Sequence, residues 1–232
     1  MNPKKETLNR KIFLDVGAHW GETIEAVLDD RYKFDRIICF EPSSKCWKKL
    51  YRFNNERIII NKFGLYNKSC SLPLYSPGSA GASIFKDKYN VDIKDYEICK
   101  FVKASDWFKE NITFDDIVYL KLNCEGAEVD ILDDLLASGE YKKVKQSLVS
   151  FDVRKIPSMK YKEIIIKNKF KHRNYRNLYH EKRLGSTHVD RIRHWLDFVD
   201  KKSFSVVVNH YYRILRFRFW ERVTNRLNLK FK

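Results

Sequence analysis

Residues 12–23 constrain the fold more than any other stretch: I-F-L-D-V, then G-A-H-W-G, then E-T. The apolar run 12–16 predicts a buried strand. Gly17 and Gly21 bracket a tight turn, and 23–28 opens a helix. Such a turn places backbone N–H groups beside the strand's carboxyl end, the edge at which open α/β sheets bind ligands. Asp15 precedes the turn, and a second acid, Glu41, ends the next predicted strand.

These residues narrow the ligand class. A dinucleotide site needs G-x-G-x-x-G so that a pyrophosphate can approach the backbone. Here Trp20 stands inside the turn, and Asp15 would repel a diphosphate. S-adenosylmethionine (SAM) carries an ammonium, a sulfonium and no phosphate, so it tolerates that carboxylate. Glu41 suits the ribose, because a carboxylate accepts two hydrogen bonds from a vicinal diol. The competing account is an ordinary strand–turn–helix corner with solvated acids.

The remaining chain predicts a β-α-β-α-β rhythm: a strand at 35–41 closed by Pro42, a helix at 45–53 with Ser43 as N-cap, and a β-branched strand at 57–61. That order implies α/β architecture, a mostly parallel sheet with right-handed crossovers. Residues 65–75 then read as a hairpin turning at Asn67-Lys68, followed by a small-residue loop at 76–83 that serves as a lid or a surface loop. Further strands are predicted at 97–104, 117–122 and 146–151, with helices from 105, over 129–136, 158–169 and 188–200. Residues 204–209 read as a last strand; the segment beyond is open between strand and basic helix.

With 232 residues and 44% hydrophobic content, one domain spanning 1–232 is expected. The five cysteines are odd in number and form no C-x-x-C, and 1–11 is polar, so a cytoplasmic chain with reduced thiols and no signal peptide is expected. The +16 net charge is unevenly placed: residues 1–142 hold 22 Lys+Arg and 23 Asp+Glu, whereas 143–232 hold 24 and 7. Residues 201–232 have nine cations and the single acid Glu221, interleaved with aromatics. That segment points to an anionic membrane surface or another polyanion, against the plainer account of a solvated basic face.

D-V-G-A-x-x-G at 15–21, E-P at 41–42 and K-L-N-C-E-G-A-E at 121–128 together resemble the FkbM-like family of SAM-dependent methyltransferases, over roughly residues 11–153. The resemblance implies a Rossmann-like class I methyltransferase fold, SAM as cofactor and a hydroxyl acceptor, typically on a sugar. By the same resemblance Asp15, Gly17, Ala18, His19, Gly21 and Thr23 line the methionine part of SAM, Glu41 holds the ribose, and Pro42 sits near the adenine. Two positions depart from the family pattern. Asn123 stands for the usual Asp and keeps an acceptor without a proton-accepting carboxylate; it is counted with the cofactor site. Arg154 stands where His is common and is always charged.

Methyl transfer to an alcohol releases one proton, so a base within hydrogen-bond reach helps. Glu125 and Asp152 lie at strand ends on the predicted ligand edge and are the candidates, with helix capping and pairing to Arg154 or Lys155 as their plainer roles. Glu128 reads as holding the first turn of its own helix. His188 is a further candidate base or a cap. No spacing of histidines and acids calls for a metal. A carbohydrate acceptor is ranked ahead of RNA, since N-C-E-G stands where amino-methylating enzymes carry an N-P-P-Y-like motif. The third account is a SAM-binding protein without turnover. The oligomeric state is not legible.

Overall fold

The computed structural model describes residues 9–181 and 187–201, together with Tyr212 and Leu215. Two compact units are present, Met1–Tyr179 and His180–Lys232.

In the first unit the apolar runs form strands as their composition requires. In chain order the elements are β1 (Lys11–Val16), α1 (Glu22–Val27), β2 (Arg36–Phe40), α2 (Ser44–Leu50), β3 (Ile58–Asn61), β4 (Gly64–Tyr66), β5 (Cys70–Tyr75), β6 (Tyr96–Lys103), α3 (Ala104–Asn111), β7 (Ile117–Leu122), α4 (Glu128–Ser138), β8 (Val144–Val149), α5 (Lys162–His172) and β9 (Leu178–His180). The main sheet has the order β3-β2-β1-β7-β8-β9. Its pairs from β3 to β8 are all parallel. Five successive residues of β1, from Ile12 to Val16, are buried, as expected for a strand covered on both faces. Counting the six main strands in chain order gives 3-2-1-4-5-6, the doubly wound order with its ligand crevice where the order reverses, at the carboxyl ends of the first and fourth strands. Those are β1 and β7.

Three expectations change. Residues 65–75 do not form a hairpin: β6 inserts between β4 and β5, so Phe101 pairs with Gly64 on one side and Cys70 on the other. Ser43 is the N-cap of α2 by position, yet its hydroxyl donates to Glu97 Oε2 at 3.2 Å. The Glu97 carboxylate, reaching from β6, accepts the Ser44 N–H at 3.1 Å and does the capping instead. The sixth main strand is β9, a segment too short and mixed to stand out in the sequence. The predicted strand at 204–209 lies outside the described residues. Tyr212 is helical and exposed, as is Leu215.

In the second unit α6 (His188–Lys201) buries Ile192, Trp195, Leu196 and Val199, the four residues its spacing selects. His188 Nδ1 lies 2.8 Å from the buried Glu181 Oε1, which also takes Arg191 at 3.4 Å. All five cysteines are free thiols. Among the described residues no helix is long and apolar enough to cross a membrane.

Candidate functional site

The turn after β1 is built on glycine for two reasons. Gly17 has φ +83° and Gly21 has φ +90°, values that cost an L-residue about 1–2 kcal/mol. A Cβ on Gly17 would also stand 2.0 Å from the Asn123 carbonyl oxygen. The close approach is therefore to the protein's own loop after β7, not to a ligand. The donors of the turn are equally committed. Gly17 N and Ala18 N both donate to Phe40 O at 3.1 Å, Gly21 N donates to Ala18 O at 2.8 Å, and His19 N donates to Glu41 Oε2 at 2.8 Å. Four of the five N–H groups of 17–21 are therefore spent within the protein, which leaves less of a cradle for a phosphate.

Asp15 is fully buried, and its charge is balanced. Lys121 Nζ, on the neighbouring strand β7, lies 2.8 Å from Asp15 Oδ1, with both side chains out of solvent. The ammonium aims its aligned hydrogen bond at Gly17 O, at 2.9 Å, so with Asp15 it forms an ion pair only. Asp15 thus has a cation of its own in Lys121, which the sequence reading did not foresee. The signal was a lone lysine in an otherwise apolar strand, I-V-Y-L-K-L.

Glu41 follows β2 and is 6% exposed. Its Oε1 accepts Ser43 N at 2.9 Å and its Oε2 accepts His19 N. Burial raises its pKa, and the Ser43 and His19 bonds offset only part of that. Each oxygen keeps one lone pair for a ligand hydroxyl. Ala18 and Thr23 are buried beneath the turn; Pro42 is half-buried beside Glu41. His19 sits at φ +48° with Nδ1 3.1 Å from Glu22 Oε1 and Nε2 3.2 Å from Gly78 O. Burial opposes its charge, but the Glu22 carboxylate and the Gly78 carbonyl prevail and raise its pKa.

The 76–83 loop is fastened across this edge. Besides the His19–Gly78 contact, Ser83 Oγ donates to Glu125 O at 2.7 Å, and Ser76 N donates to Asp95 O at 2.8 Å. Lys88, buried and unforeseen in the sequence, donates to Gly81 O and Asn90 Oδ1 at 2.7 Å and lies 2.9 Å from Glu125 Oε2.

Beyond β7, Glu125 takes φ +51° and aims its carboxylate at Lys88 and, at 3.4 Å, Lys155. Burial and the nearby Asp152 charge push its pKa up; Lys88 and Lys155 pull against them. Asp152 is 3% exposed, with Oδ1 3.0 Å from Lys155 Nζ. The chain thus brings Glu125 and Asp152 together around Lys155. Arg154 turns away to Glu163. Glu128, not Glu125, braces the loop: it accepts Cys124 N and Gly126 N at 3.0 Å. Burial and Asp152 push the Glu128 pKa to about 8. Asn123 Oδ1 is buried with no partner among the described residues. A cleft of about 200 Å³ between α4 and α5, lined by Val129, Asp133 and Ile165 among others, shares no residue with this edge. Among the described residues no cluster of His, Cys, Asp and Glu could hold a metal.

Strand order, a glycine turn after the first strand and an acid after the second together define an open, Rossmann-like α/β protein with its candidate ligand site at the β1–β7 carboxyl edge. No family model and no curated protein matches the chain. The structure is similar to the crystal structure of methyltransferase FkbM from Methylobacillus flagellatus KT, at 15% identity and a TM-score of 0.45. The likeness covers 74% of this chain and 40% of that one, so the chain spans well under half of that protein's length.

Proposed function

We propose that the chain is a SAM-dependent methyltransferase whose acceptor is a hydroxyl of a sugar, in a glycan or glycoside. The observation that carries this is the balance of donors and acceptors at the edge. Four N–H donors of the 17–21 turn are committed internally, whereas Glu41 keeps spare lone pairs and Asn123 Oδ1 is an orphaned acceptor. Such a surface suits a ligand that brings donors: a ribose diol for Glu41 and an ammonium for Asn123. When bound, SAM supplies an electrophilic methyl group. The chain's part is to orient the acceptor and hold its proton. Glu125, with its pKa already raised, is suited to receive the hydroxyl proton, and Lys155 between Glu125 and Asp152 keeps the two carboxyls in place.

One observation favours a second reading, a SAM-binding protein without turnover: both candidate bases sit against ammonium groups. A SAM titration followed by methyl-transfer assays on glycans and on RNA separates the accounts. Glycan turnover supports the first and binding alone the second. Absence of SAM binding removes both.

A further inference from the structure

Helix α5 carries an outward face that its core packing does not explain. Glu163, Ile166 and Phe170 form its buried side. On the opposite side, at helical spacing, stand Tyr161, Ile164 and Ile165, exposed by 57%, 67% and 47%, followed by Asn168 and His172. Cations flank this crest on both sides: Lys160, Lys167 and Lys171 along one flank, Lys162, Lys169 and Arg173 along the other. Residues 154–176 contain nine Lys+Arg and one acid, Glu163, and that acid is buried and neutralised by Lys167 and Arg154. Lys162 and Lys169 are paired with Asp130 and Asp133 of α4. Lys160, Lys171 and Arg176 are exposed with no acidic partner among the described residues.

We infer that α5 docks the protein on an anionic lipid surface, with Tyr161, Ile164 and Ile165 entering the headgroup boundary and the flanking lysines meeting lipid phosphates. An apolar strip bordered by long cationic side chains fits an interface, because lysines extend to the headgroups while their stems cover the apolar floor. Each juxtamembrane Lys or Arg adds attraction to anionic lipid. The apolar crest favours lipid over nucleic acid: an RNA or DNA surface would use the cations and aromatic stacking, and branched aliphatic residues add nothing to phosphate contacts. Tyr161 lies six residues after Lys155, within about 20 Å of chain from the candidate site. The proposal does not depend on methyl transfer, and a failure to bind SAM would leave it standing.

The test uses the full chain and phosphatidylcholine vesicles with or without phosphatidylglycerol, read by co-sedimentation at low and raised salt. The protein should bind only the anionic vesicles, less at raised salt. Ile164→Ser/Ile165→Ser and Lys160→Gln/Lys171→Gln should each weaken binding roughly tenfold or more without changing the melting temperature. In an independent readout, Ile164→Trp should show quenching by brominated lipid beyond that of the five native tryptophans. Binding undiminished in both double variants assigns the attraction to the basic 201–232 segment and overturns the proposal. So does absence of excess quenching, or capture of an RNA hairpin in place of vesicles.

Discussion

Asp15 and Lys121 face each other across the β1–β7 register, 2.8 Å apart, with neither side chain open to solvent. Removing one partner of such a pair strands the other charge. Lys121→Met should therefore destabilise the fold by about 3–5 kcal/mol, and Asp15→Asn in the same chain should restore much of the loss. Urea unfolding of the single and double variants checks this; equal stabilities would mean the pair is not formed.

Gly17 and Gly139 share φ +83° but differ in what surrounds them. An added methyl at Gly139 meets nothing within 4 Å, whereas at Gly17 it meets the Asn123 carbonyl. Gly139→Ala should cost only the left-handed strain, about 1–2 kcal/mol. Gly17→Ala should cost clearly more and displace the loop holding Asn123. A larger Gly17 substitution is thus a test of folding before it is a test of ligand binding. Paired melting curves decide: equal losses would show that the β7 loop yields freely.

Glu41 should matter to both binding and stability. Glu41→Ala removes the acceptor proposed for the ribose and should weaken SAM binding by roughly 2–4 kcal/mol. It also leaves the N–H groups of His19 and Ser43 without their acceptor, so the melting temperature should fall too. Calorimetry on protein confirmed as folded is the measurement, and an unchanged dissociation constant takes Glu41 out of the site.

Glu128 should make stability depend on pH. Its folded pKa, about 8, lies above the ordinary carboxylate value of 4.5, so between these values the folded state holds a proton that the unfolded chain releases. Its contribution is complete below about pH 4.5 and is lost as pH rises through about 8. Glu128→Gln cannot titrate, so its stability relative to the parent should increase across that window. Denaturant midpoints for the two proteins that stay parallel from pH 5 to 8 would refute the shift.

Most of the main sheet was legible because its strands are apolar runs ended by glycine, proline or acid, and parallel strands buried on both faces have that composition. β1, β2, β3 and β7 fall within a residue or two of expectation; β8 starts two residues earlier, and α5 lies some three or four residues later than its spacing suggests. Non-local pairing was not legible: nothing in 64–75 says that a strand thirty residues later will separate β4 from β5. Lys121 and Lys88 were missed because lysine normally marks the surface, and only a partner on another segment makes its burial tolerable. The face of α5 was missed for another reason. Its isoleucines are apolar on two opposite sides, and a single-stripe reading of periodicity averages them away. Around the site, the motifs placed Glu41, Asn123, Glu125 and Asp152 at one edge, but their hydrogen-bond partners come from loops whose paths no local pattern encodes.

The internal hydrogen bonds of the 17–21 turn have a thermodynamic consequence. Since Phe40 O and Glu41 already hold its backbone, a ligand arriving at this edge would have little chain to order, and the entropic toll of association would fall mainly on the ligand. Binding measured over a range of temperatures should then show a heat-capacity change accounted for by the ligand's own apolar burial, with no added increment from folding of the turn.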